Sequence, residues 1–114
     1  MRKNNLHTNQ ILYIIGAGNY SIVHQVGGRH LLMSHTLKWY QGKYPDFIRI
    51  NKGALINPTY VVSWQKTSRL LASLTMQNGQ QLVIARRRML NVLEQVEQTL
   101  FLVGKQVNGL GNNA

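Results

Sequence analysis

The chain has no cysteine and only three acidic residues, Asp46, Glu94 and Glu97, in 114 positions. Without thiols there is no disulfide framework, no thiolate metal site and no cysteine nucleophile. Three scattered carboxylates leave little material for acid–base catalysis or a hard-metal site, so the inventory argues against an enzyme, and no cofactor or metal is expected. No apolar run approaches the roughly eighteen residues of a membrane span. Met1–Gln10 is polar and has no apolar signal centre. The expectation is a soluble cytoplasmic protein.

What is plentiful is positive charge. Thirteen Lys and Arg against three acids give a formal net charge of +10. Such a field attracts polyanions, and nucleic acids are the commonest of these in the cytoplasm. A membrane surface is set aside, because the one good helical pattern carries its acids along its middle. The length suits one domain, and a hydrophobic fraction of 44% is too high for a disordered chain.

Hydrophobic periodicity predicts six or seven short strands and two helices. Ile11–Ile15 is a buried strand that stops at the Gly16-Ala17-Gly18-Asn19 turn cluster. Tyr20–Val26 alternates, with Tyr20, Ile22 and Val26 on the apolar side against Ser21 and Gln25. Gly27-Gly28 signals a two-residue hairpin into Arg29–Ser34. Thr36–Tyr44 is a short helix with Thr36 as its cap, stopped by Pro45. Phe47–Ile50, Tyr60–Gln65, Arg69–Met76 and Gln81–Ala85 are strands, and Asn51-Lys52-Gly53 is a loop. Asn78-Gly79 predicts a type I′ hairpin. From Arg87 the period lengthens to 3.6, with Leu90, Leu93, Val96 or Glu97, and Leu100 as the packing stripe. The fold class is therefore mostly β, with antiparallel sheets of short strands, a short middle helix and a C-terminal helix. Residues 1–9 are expected to be a flexible leader, 10–103 the domain and 104–114 a flexible Gly- and Asn-rich tail.

Arg86-Arg87-Arg88 lies where the last strand turns into the final helix. Cations at a helix start are disfavoured by roughly 0.3–1 kcal/mol each, and no acid stands nearby. A phosphate would supply the missing anion, and a guanidinium fork also matches guanine O6 and N7 in a major groove. Lys52 follows Arg49 on a second loop, where Gly53 allows close backbone approach. Asn19, Tyr20 and Ser21 form a third loop edge with hydrogen-bonding groups. Three loops offering donors suit a nucleic acid held by loops rather than by a recognition helix.

Around these residues the chain resembles a known family. Phe47-Ile48-Arg49-Ile50-Asn51-Lys52-Gly53-Ala54-Leu55-Ile56-Asn57 is similar to the F-[IV]-R-x-H-R-S-[YF]-[LIV]-[IV]-N motif of LytTR DNA-binding domains. Ile11-Leu12-Tyr13-Ile14 with Asn19-Tyr20 resembles the family's opening. Asn78-Gly79 followed by Leu82-Val83-Ile84-Ala85-Arg86-Arg87 resembles its closing N-G-x-x-[IL]-x-[IV]-S-R-R. The likeness runs from about Gln10 to Leu102. It implies a transcription regulator whose loops enter successive major grooves of double-stranded DNA, with room for a second copy on repeated sites. By position it makes Asn19, Tyr20, Ser21, Asn51, Lys52, Arg86 and Arg87 DNA-binding candidates. Arg88 joins Arg86 and Arg87 as a candidate for bases and phosphate, and Arg49 and Lys66 add phosphate contacts. Asn51 stands for the family's His, Gly53 and Ala85 for its Ser, and Ile15 for a frequent acid. The family's usual N-terminal receiver domain is not within the sequence. The expectation is a free-standing regulator or a piece of a longer chain, with a separate sensor or receiver protein as a partner to consider.

Other patterns carry less. Gly16-Ala17-Gly18-Asn19-Tyr20-Ser21 imitates a dinucleotide fingerprint, yet its third Gly is Ser and a strand follows. His24, His30 and His35 lack metal-motif spacing. Trp39 and Trp64 suit core or edge positions. Two rival readings remain at this stage. One is a single-stranded nucleic acid or RNA binder stacking bases on Tyr13, Tyr20 and Trp64. The other is a protein-interaction module whose charge meets an acidic partner.

Overall fold

The computed structural model describes residues 6–102 and 108–109. β1 (Ile11–Ala17) begins with four consecutive buried residues, Ile11 to Ile14. A strand apolar at successive positions needs cover on both faces. Here Tyr13 enters the larger hydrophobic core and Ile14 the smaller one. β2 (Tyr20–Gln25) and β3 (His30–Met33) fold back as an antiparallel meander. α1 (Leu37–Lys43) then crosses the sheet, started by Thr36, whose Oγ1 accepts the Trp39 amide at 3.2 Å. β4 (Ile48–Asn51) and β5 (Ala54–Ile56) complete a five-stranded sheet in the order β3-β2-β1-β5-β4. Leu37, Tyr40, Tyr44 and Phe47 close the smaller core against Ile14, Val23 and Leu55.

A second sheet, ordered β8-β7-β6-β9, comprises β6 (Val61–Ser68), β7 (Leu71–Met76), β8 (Gln81–Ile84) and the two-residue β9 (Asn108–Gly109). α2 (Met89–Leu102) packs across β4 and the 3-10 turn Pro58–Tyr60. Its Met89, Val92, Val96 and Leu100 join Ile48, Ile50, Trp64 and Leu74 in the larger core. Each fully buried aliphatic side chain contributes about 1.5–3 kcal/mol relative to exposure.

Several expectations are corrected. β2 buries the opposite phase: Ser21 and Val23 are fully buried, while Tyr20 is half exposed. α1 covers that face, so the apolar alternation of Tyr20 and Ile22 points away from it. Leu90 is 80% exposed and leaves the α2 stripe, which is phased on Met89 instead. β5 and β9 were not expected as strands, and β9 pairs in parallel with Ser63 and Trp64 of β6. Those two residues of the expected tail are thus paired. The remainder of 104–114, and residues 1–5, lie outside the described residues.

Residues 6–9, within the segment expected to be flexible, contact the domain. Leu6 packs on the smaller core, and Thr8 and Asn9 begin a 3-10 turn. Asn57 Nδ2 donates to Thr8 O at 3.2 Å, and the Tyr60 hydroxyl donates to Asn9 O.

The hairpin at Asn78-Gly79 forms, but not as type I′. Only Gly79 has positive φ, at +89°, and its amide donates to Met76 O at 2.8 Å while the Met76 amide donates to Gln80 O at 2.9 Å. This is the three-residue loop in which the left-handed residue is glycine. Val26-Gly27-Gly28 is likewise a three-residue loop, closed by the Gln25 amide on Arg29 O at 2.7 Å.

Candidate nucleic-acid interface

Sheet pairing decides which turns meet. Ile15 of β1 pairs with Ala54 of β5, and the Gly16 amide donates to Gly53 O at 3.0 Å. These contacts set the β1–β2 turn beside the β4–β5 turn. On the other side of the β4–β5 turn, the Ala85 amide donates to Ile50 O at 2.8 Å and Asn51 Nδ2 donates to Val83 O at 2.6 Å. The β8–α2 junction is thereby fastened to the same end. Lys66 pairs with Ala72, and Ala72 with Ile84, so the β6–β7 turn also ends there. Three loops far apart in sequence thus form one edge, with a fourth alongside.

The expected site residues divide by what their side chains do. Asn19, Lys52, Arg86 and Arg87 are exposed on this edge, and Tyr20 is half exposed beside Asn19. Arg86–Arg88 forms one 3-10 turn entered from extended Ala85, with no side-chain cap. Ala85 has no hydroxyl to satisfy the turn's amides. No acid occupies the first turn of α2, so the positive end of the helix and the arginines add rather than cancel.

Ser21 is a correction. It is fully buried, and its hydroxyl donates to His35 O at 2.7 Å, fixing the entry to α1 rather than facing outward. Lys66 is half-buried on its strand. Arg88 leans back, its guanidinium 3.5 Å from Arg49 O.

Arg49 and Asn51 act inward. Arg49 Nε donates to Asn51 O at 2.9 Å, one terminal nitrogen to Lys52 O at 2.6 Å and the other to Gln41 Oε1 at 2.9 Å. Asn51 Oδ1 accepts the Gly53 amide at 2.6 Å while its Nδ2 holds Val83 O. Together they brace the turn that carries Lys52. Burial, and then the neighbouring Arg88 guanidinium, hold Arg49 below its ordinary pKa, although an arginine keeps its charge at any physiological pH.

Two cations at this end escaped the sequence reading. Arg69 lies in the turn between β6 and β7 and is exposed; the sequence reading took it as the first residue of a strand, which begins two residues later at Leu71. Lys38 of α1 lines a groove with Gly18 and Lys52. Nothing local in the sequence marks it, because its place follows from how α1 docks on β1.

The stacking rival meets an obstacle here. Tyr13 and Trp64 are each 3% exposed. Tyr13 accepts Asn78 Nδ2 at 3.0 Å, and Trp64 Nε1 donates to Glu97 Oε2 at 3.1 Å. Of the three proposed platforms only Tyr20 reaches solvent. No described helix is long and apolar enough to cross a membrane.

The family described as the LytTr DNA-binding domain matches residues 2–97. Among solved structures, the chain is similar to one described as the LytTr DNA-binding domain of a methyl-accepting/DNA response regulator from Bacillus cereus. The identity is 13%, the TM-score 0.72, and the match covers 80% of this chain and 84% of that one. At that identity the likeness is one of fold. No curated protein matches the chain.

Proposed function

The chain belongs to the LytTr DNA-binding domain family, and on that footing we propose that it is a transcription regulator that binds duplex DNA sequence-selectively. Its turns contact the major groove and the flanking phosphates. The observation that carries the reading is the fastening of three turns side by side, with exposed Asn19, Lys52, Arg86 and Arg87 on one edge. Arg86 and Arg87 take bases and phosphate at the β8–α2 junction, where a guanidinium fork fits guanine. Lys52 serves the β4–β5 turn, and Asn19 with Tyr20 serves the β1–β2 turn. Arg49 and Asn51 position Lys52 rather than touch DNA. A regulator of this kind works in the cytoplasm, with a second copy on a neighbouring repeat and its signal from a sensor or receiver module, whether in the same polypeptide or in another. It performs no catalysis.

Selection of bound sequences from a random duplex pool tests the reading directly. A preferred sequence should emerge, and Arg87→Ala should weaken binding to it by roughly 1–3 kcal/mol while relaxing the preference. Equal losses on selected and scrambled duplexes would reduce Arg87 to an electrostatic contact. A chain that prefers single strands at fixed salt would overturn the proposal.

A further inference from the structure

Between the β1–β2 turn and α1 runs a groove of about 330 Å³, whose lining includes Gly16, Gly18, Thr36, Lys38, Lys52 and Gly53. We infer that this groove seats a backbone phosphate of the bound duplex, with Lys38 of α1 and Lys52 of the β4–β5 turn as its charge partners. The helix α1 then grips DNA together with the turns. This rests on the duplex-binding reading above and adds to it a contact from a different element.

Three observations support the assignment. The groove's charged residues are all cationic: Lys38 and Lys52 are exposed, and Arg49 also lines it, with three donors fixed on protein acceptors. No carboxylate lines it, and Asp46 lies before β4, away from the turn that ends that strand. The backbone is also open to an anion's oxygens. A Cβ added at Gly18 would meet nothing within 4 Å, and one at Gly53 only Asn51 Oδ1 at 3.7 Å.

The third observation concerns how closely α1 is docked. A Cβ on Gly16 would stand 3.1 Å from Leu37 Cδ1 and 3.3 Å from its Cγ. The absence of that side chain lets Leu37 bury against β1 and holds the next residue, Lys38, on the groove wall. Ammonium groups are compact point charges without the fork that reads a base edge. This contact therefore serves affinity rather than sequence choice.

The test is fluorescence anisotropy across a salt series, using the selected duplex and a scrambled one. Lys38→Gln should weaken both duplexes equally and reduce the slope of log K against log salt by about 0.9, the release of one phosphate's counterion. Lys38→Arg should keep the wild-type slope. Lys43→Gln, at the other end of α1, should leave it unchanged. An unaltered slope in Lys38→Gln overturns the inference while the duplex-binding reading stands. A changed ratio of selected to scrambled affinity also overturns it, because Lys38 would then be reading bases. A wild-type chain without duplex affinity overturns both. Thermal melting of Lys38→Gln, an exposed substitution, checks that the fold is intact.

Discussion

The guanidinium of Arg49 shows how a surface charge becomes a structural part. Its three bonds reach carbonyls two and three residues ahead and a side chain on α1. The charge was legible in the sequence, but its acceptors were not, since they meet Arg49 only once β4 turns tightly into β5. Replacing it by lysine keeps the charge and loses the planar fork. Arg49→Lys is therefore expected to lower unfolding stability by about 1–3 kcal/mol in urea denaturation. It should also weaken duplex binding through a loosened Lys52 turn. Unchanged stability would show that the three bonds are replaceable by water. Ser21 teaches the converse. Its hydroxyl suggested a contact, yet both phases of β2 hold apolar residues, and α1, which no local pattern places, selects the phase that buries Ser21 and Val23.

Among elements, existence and order were legible and phase was not. Every expected strand and both helices form, because their apolar runs and turn residues are local signals. β5 was missed because three consecutive apolar residues carry no readable period. The helix α2 was placed correctly, but one 3-10 turn precedes it and rotates the buried stripe away from Leu90. The two phases agree on Leu100 and disagree on Leu90. Leu100→Ala should cost about 2–5 kcal/mol as a core truncation, whereas Leu90→Ala should stay within about 0.5 kcal/mol. Guanidinium denaturation of both variants decides between them, and comparable losses would restore the sequence-derived stripe.

At the scale of the molecule, the described cations crowd toward one end. Of the seven that are exposed, Lys38, Lys52, Arg69, Arg86 and Arg87 lie where the turns gather, while Arg29 and Lys43 are exposed elsewhere; Asp46 lies away from that end and Glu97 is bonded to Trp64 along α2. With three carboxylates in the whole chain, the usual acid titration of stability has few groups to act on, and a histidine becomes visible. His24 stacks between Tyr13 at 4.6 Å and His30 at 5.8 Å. Burial first, and the adjacent His30 second, lower its pKa from the ordinary 6.5. The unfolded chain therefore takes up that proton more readily than the folded one. The stability involved is present above the unfolded value and is lost as pH falls through the gap beneath it. The melting temperature should drop as the pH falls below the ordinary histidine value of 6.5, and His24→Gln should flatten that drop; an identical slope in the variant would assign it to other groups. A last consequence follows from the hydrogen bond joining Gly16 to Gly53. Since β1 and β5 are ladder neighbours, the tips of their two hairpins stand about two strand spacings apart, on the order of 10 Å. Substitution at the tips changes which side chains they present, yet the distance between the two tips is inherited from the pleated backbone and stays the same.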